Sequence, residues 1–328
     1  MASIASPLVI DGSHGEGGSA LLRVTLAMAA LTQQPVRVVN IRFDMPRSGL
    51  SAEDLTIVRA IALACRAEVM GAEVGSNSLS FIPLSQLTGL KERIEICDDD
   101  NGPGTGNACV VAQALATPLA RSGMLSTLGV SGETYGHNIL SFDYFRNVTV
   151  EAWKRIGLFS ELRQSVAGFG RDSRGSIDME IEPSYFNGIN WEKRGRMTSC
   201  KALLVYSDLP GSIAERGAEH LAKLAQGADL QLDVETRSVP SKSPGCSVTL
   251  WAEFENGIGG HSGVGARGIR IETVVQQAFA SFAAWMKSGA TTDAFLADQI
   301  LLACCLSDQD CVFTTHRLTK RFLTIAWV

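Results

Sequence analysis

An α+β fold with a smaller inserted unit is predicted by three observations. Short apolar, strand-like runs alternate with amphipathic helical patterns. A theme of strand, glycine-bearing turn and small-residue helix recurs at 7–31, at 92–120 and, less regularly, at 247–287, which raises a threefold internal repeat. Between about 184 and 262 the texture changes, with more charge and more turn residues.

Taken in order, PLVI (7–10) reads as a strand, the glycine segment 11–18 as a turn and 19–31 as a helix. VRVVNI (36–41) is the next strand. The helix over 52–66 is the most clearly signalled: Ser51 stands at its N-cap, Asp54 three residues on completes a capping box, and Leu55, Val58, Ala62 and Cys65 repeat along one stripe. ERIEIC (92–97) and LSTLGV (125–130) bracket a helix at 107–120, and 142–157 is helical. A strand–helix–strand set follows at 200–207, 213–226 and 229–235, then the loop 238–246. Helices are expected at 270–287 and 291–306, and the last residues, ending at Val328, read as a strand. The domain division is therefore 1–183 with 263–328 as the large domain and 184–262 as the inserted α/β domain.

Composition narrows function. Hydrophobic residues make up 45% of the 328 and charged residues 19%, a globular balance. A net charge of −5 argues against coating nucleic acid through a broad basic face, but a single phosphorylated end needs only a few well-placed arginines. The leading residues lack a basic, apolar signal pattern, and no run of eighteen apolar residues occurs, so no membrane is expected. The eight cysteines form no C-x-x-C pair, and Cys65, Cys109, Cys304 and Cys305 fall in apolar helical patterns. A reduced, cytoplasmic setting is expected.

The segment DGSHGEGGSALLR (11–23) carries the first chemistry. Its glycines, Gly17 and Gly18 among them, permit close backbone approach, and the helix that follows offers free N–H groups and a positive dipole end. Glu16 inside an anion cradle points to a divalent cation, and Arg23, a turn into the helix, suits bidentate phosphate pairing. Neither a Walker A loop nor a dinucleotide fingerprint is present. Asp298-Gln299, set between FLA and ILLACCL on an apolar stripe, calls for a partner. His14, His137, His220 and His261 show no metal-ligand spacing; His137 and His261 are read as loop residues and His220 as helix surface.

These segments, with VRVVNIRFDMPRSGL, GPGTGNACVVAQALAT (102–117), GVGARGIRIETV (263–274) and FLADQILL (295–302), resemble the RNA 3'-terminal phosphate cyclase family across nearly the whole chain. The resemblance implies an enolpyruvyl-transferase-like large domain of three units, each two helices on a four-stranded sheet, with a small α/β domain inserted. It implies a ligase-type enzyme that uses ATP and Mg²⁺ or Mn²⁺ to turn an RNA 3'-phosphate into a 2',3'-cyclic phosphate. The route is adenylylation of a histidine, transfer of AMP to the RNA, and attack by the 2'-hydroxyl. The expected partner is an RNA 3' end, with neither a membrane nor DNA.

Carried over, Glu16 is the metal ligand and Arg23 and Arg42 contact phosphate. Phe295, Asp298 and Gln299 hold the adenine end. The chain departs from the family pattern at Ser19-Ala20, Met45, Glu53 and Gly132-Glu133. The carboxy-terminal pattern resembling H-L-x-T-N can be matched to HRLTK, which makes His316 the nucleophile. Anchoring instead on Phe313-Thr314 and the last four residues puts Lys320 or Arg321 in its place. Arginine stays protonated and cannot serve; a lysine with a depressed pKa could. His316 is the named candidate. The alternative to an enzyme is a non-catalytic relative that binds RNA or protein, and a small-molecule transferase of the same fold is a third reading.

Overall fold

Strand β1 (Leu8–Asp11) runs parallel to β2 (Val36–Val39), and β2 pairs antiparallel with β4 (Leu79–Ile82), which pairs antiparallel with β3 (Glu68–Met70). Helices α1 (Ser19–Thr32) and α2 (Ala52–Cys65) connect these strands. The computed structural model describes residues 6–96, 104–170 and 173–328. Residues 1–5, Cys97 and the opening Gly102-Pro103 of the second glycine segment lie outside that range.

The same plan returns in the next stretch. β5 (Lys91–Glu95) is parallel to β6 (Ser126–Gly132), and β6 pairs antiparallel with β8 (Gly175–Ile181), itself antiparallel to β7 (Ser160–Val166). Helix α3 (Ala108–Ala120) joins β5 to β6. A longer helical run joins β6 to β7: α4 (Phe142–Tyr144), a π-helical stretch (Phe145–Thr149) and α5 (Val150–Ile156). These first two four-stranded sheets therefore share one order and one set of directions.

The third sheet is built differently. β10 (Met197–Ser207) leads through α6 (Gly211–Gly227) to the parallel β11 (Asp233–Ser238), then β12 (Gly245–Phe254) and β13 (Gly257–Val264) add antiparallel on the other side, in the order β11-β10-β12-β13. The stretch expected as a third occurrence of the theme, 247–287, is the β12–β13 hairpin followed by α7 (Ile271–Ser288) within this sheet's layer. A minor sheet pairs β9 (Asn190–Trp191) with β14 (Val312–Phe313).

Strand periodicity explains how the third sheet is held. On β10, Leu203 and Val205 join the core formed by the first two units, while Ala202 and Leu204 face the other way into a second core with Leu221 of α6 and Val275, Phe282 and Trp285 of α7. The second core spans residues 200–286, so its packing crosses the 262/263 division expected from the sequence. β12 is buried on both faces for the same reason.

The final helices are α8 (Ala294–Cys305) and α9 (Lys320–Trp327). The strand expected at the carboxy terminus is thus a helix. Thr319 caps it, its hydroxyl accepting the Phe322 N–H at 2.8 Å, and Thr324 is its buried contact. A run of phenylalanine, leucine, isoleucine and tryptophan fits either period, and the docking surface decides. Two further readings change. Cys305 is exposed, unlike Cys65, Cys109 and Cys304. His261 lies on β13 rather than in a loop.

Candidate nucleotide and phosphate site

The glycine loop is ordered from within. Asp11, at the end of β1, accepts the Ser13 N–H at 3.1 Å, the Ser13 hydroxyl at 2.8 Å and the Asn40 amide at 3.2 Å. These hydrogen bonds hold its carboxyl below the ordinary value. Gly15 and Gly17 take φ of +66° and +63°, which L side chains rarely adopt. Gly18 is the N-cap of α1 and supplies no side-chain cap.

Helix α9 closes over this loop from the far end of the chain. The Thr324 hydroxyl accepts the Glu16 N–H at 2.8 Å and occupies the space a Cβ on Gly15 would need. His14 stacks on Trp327 with ring centroids 4.0 Å apart. Arg321 grips Glu16 with both ends of its fork, Nε donating to Oε2 at 3.1 Å and Nη2 to Oε1 at 2.9 Å.

The opposite wall is α8. Asp293 caps it, accepting the Phe295 and Leu296 N–H groups at 2.8 and 2.9 Å and the Tyr144 hydroxyl at 2.7 Å. Asp298 has the partner its apolar setting demanded: the Thr319 hydroxyl donates to it at 2.7 Å. Burial pushes the Asp298 carboxyl up to about 6 against the opposing pull of that bond. The Gln299 amide is tied on both sides, accepting from Thr149 at 2.7 Å and donating to the Phe295 carbonyl at 3.1 Å. The Phe295 ring meets Tyr144 edge-on at 5.3 Å.

Two adjoining cavities open between these walls. A cavity of about 220 Å³ is lined by Arg23, Glu53, Asn138, Asp298, Gln299 and Arg321, with Ala20, Val110 and Leu302 among its apolar residues. A larger one of about 980 Å³ is lined by Glu16, His137, His261, Asp298, His316 and Lys320. Phe295, Asp298, Asn138 and Arg321 face both.

Of the residues predicted from sequence, Glu16, Phe295, Asp298 and His316 share the larger cavity and Arg23 and Gln299 the smaller. Arg42 lines neither: in left-handed backbone, φ +51°, it lies 3.8 Å from the buried Asp54 and donates to the Gly49 carbonyl. Arg23 sits 3.5 Å from Glu53, and its buried Nε has no hydrogen-bond partner among the described residues. Glu53 accepts the Asn107 N–H at 2.8 Å, and burial raises its pKa. His316 is exposed on the loop before α9, next to Arg317 in the sequence; partial burial lowers its pKa, which favours the neutral imidazole.

A divalent cation on Glu16 does not fit the donors present. Both carboxylate oxygens are taken by Arg321, and Asp298 is buried and bonded to Thr319. No group of three or more His, Cys, Asp or Glu able to hold a metal occurs among the described residues. Sequence reasoning missed Thr319, Thr324, Asn138 and the Glu16–Arg321 pair. Thr319 was findable as an N-cap; Thr324 and the Glu16–Arg321 pair depend on contacts across some three hundred residues, and Asn138 enters only through the walls of the two cavities.

The family model for RNA 3'-terminal phosphate cyclase matches residues 14–328. The chain belongs to the RNA 3'-terminal phosphate cyclase family. Among proteins bearing that name, the chain is 31% identical to one from Methylococcus capsulatus over 98% of this chain and 90% of the relative. It is 31% identical to one from Archaeoglobus fulgidus and 33% to one from Methanothermobacter thermautotrophicus, each over 97% of this chain and 93% of the relative. The α+β layout of small sheets and helices agrees with membership of the cyclase family. No helix among the described residues is long and apolar enough to cross a membrane.

Proposed function

We propose that the chain converts an RNA 3'-terminal phosphate to a 2',3'-cyclic phosphate at the expense of ATP, with both substrates meeting in the larger cavity. The observation that carries this reading is that His316, Glu16, Phe295 and Asp298 face one cavity of about 980 Å³ although they come from three separate segments. The neutral imidazole of His316 attacks the α-phosphorus of ATP and pyrophosphate leaves. The adenylyl group then passes to the RNA 3'-phosphate, freeing the imidazole. The neighbouring 2'-hydroxyl attacks that phosphorus and AMP departs, which closes the ring. Phe295 offers a ring to the base, and Arg23, with a buried unsatisfied N–H, suits a phosphate oxygen. The cytoplasm and its RNA ends are the setting this chemistry calls for.

The chain is incubated with ATP labelled at the α-phosphate, with Mg²⁺, with Mn²⁺ and with EDTA, then denatured. Label stays on the wild type and is lost in His316→Ala. Label that survives there but vanishes in Lys320→Ala moves the nucleophile. No label under any condition sinks the reading.

One observation favours a second reading, in which the chain binds phosphorylated RNA ends without turnover. The corner between Glu16 and Asp298 is filled by Arg321, a permanently charged side chain that cannot accept AMP. Absence of label together with retained binding of a 3'-phosphorylated oligoribonucleotide supports it.

A further inference from the structure

Glu16 is unusually well fixed for a loop carboxylate. Its own N–H is bonded to Thr324, its loop is shaped by Gly15 and Gly17, and the guanidinium facing it rises from the first turn of α9, whose start is capped by Thr319. Thr319 also reaches Asp298, so one short helix delivers a hydroxyl to one cavity carboxylate and a guanidinium to the other. Glu16 also raises the Asp298 pKa through its charge, so the two carboxylates act on each other, and Arg321 is the cation between them.

We propose that Arg321 is a built-in counter-ion standing where a divalent cation would otherwise sit on Glu16, so that the site receives a phosphorylated ligand without a metal bound there. A planar guanidinium spends two of its five N–H donors on the carboxylate and keeps the others for anionic oxygens in the cavities it lines. A single carboxylate already held bidentately offers a hard cation little, because Mg²⁺ and Mn²⁺ need several oxygen ligands and shed water reluctantly. Without Arg321, Glu16 would lose the side chain bonded to both its oxygens while sharing a cavity wall with Asp298, and a divalent cation would then be drawn in.

The test uses Mn²⁺ alone, titrated into the full chain and followed by the electron paramagnetic resonance of the free ion. Wild type shows no saturable site up to about 1 mM. Arg321→Ala gains one site at least about tenfold tighter than any wild-type binding, and the double variant Glu16→Gln, Arg321→Ala loses it again. Arg321→Gln, which keeps the side chain's bulk, repeats the measurement should Arg321→Ala unfold, with folding checked by circular dichroism and melting. A saturable wild-type site that Glu16→Gln abolishes overturns the proposal, and so does a folded Arg321 variant that gains no site. Adenylylation of His316 is a separate measurement, so either inference can fail while the other stands.

Discussion

Asp298 ties site chemistry to stability. Its carboxyl titrates near 6 in the folded chain against an ordinary 3.8, because burial outweighs the Thr319 hydrogen bond and the charge of Arg321. The folded state then holds the proton more tightly than the unfolded one, and stability from this group falls as pH rises from about 4 to about 6. Above that range the ionised group leaves a constant penalty of about 2–3 kcal/mol. Asp298→Asn flattens this part of the profile, and denaturant midpoints of the two proteins between pH 4 and 7 measure it. Convergence at low pH and a variant advantage at pH 7 are expected; parallel curves would contradict the assignment. Arg23 and Glu53 form the companion pair, with an arginine and an acid 3.5 Å apart on the smaller cavity. That cavity therefore presents paired charges, and only a ligand able to compete with Glu53 gains the whole of Arg23.

At the scale of elements, α9 decides whether the site exists. It has eight residues, too few to be stable alone, so its cap and its docking hold it. Thr319→Ala removes the acceptor for the Phe322 N–H and the donor to Asp298. The expected loss is about 1–2 kcal/mol, seen as a lower melting temperature and faster amide exchange in α9, with Thr319→Ser restoring most of it. Helix α2 shows the opposite case. Its Ser51–Asp54 capping box was legible in the sequence and forms as expected. Asp54 then does more than cap, since the Ser19 hydroxyl also donates to it at 2.9 Å and joins the start of α1 to the start of α2.

At the scale of the whole molecule, Arg155 fastens the two cores and Arg194 fastens the chain entering the second core to α7, both through backbone carbonyls. Arg155 on α5 donates to the Phe254 and Gly257 carbonyls at 2.9 Å each and pairs with Glu253 at 2.9 Å, joining the first core to the β12–β13 turn. Arg194 spans the Trp285, Met286 and Ala290 carbonyls at the end of α7 and lies over the Trp285 ring at 4.5 Å. Its partial burial lowers its pKa to about 10. Arg155→Ala should cost about 2–3 kcal/mol in chemical denaturation, and Arg155→Lys should recover only part, because an ammonium cannot reproduce the fork. A loss below about 0.5 kcal/mol would show that the apolar contact between the cores suffices.

Local rules alone determined the α+β class, most helix positions, the glycine loop and the acidic and basic residues around it. Each rests on nearest-neighbour physics: caps, periodicity, and the backbone freedom of glycine at positive φ. The sequence also carried Asp298's need for a partner, since a carboxylate on an apolar stripe must be bonded or neutral. Tertiary structure decided the rest. The last residues read as a strand because their apolar pattern fits two periods, and packing against α1 and α8 made them a helix. That choice set Arg321 on Glu16, Thr319 on Asp298 and Thr324 under Gly15. Which carboxylate meets which cation depends on the meeting of chain ends about three hundred residues apart, and no local pattern records that distance.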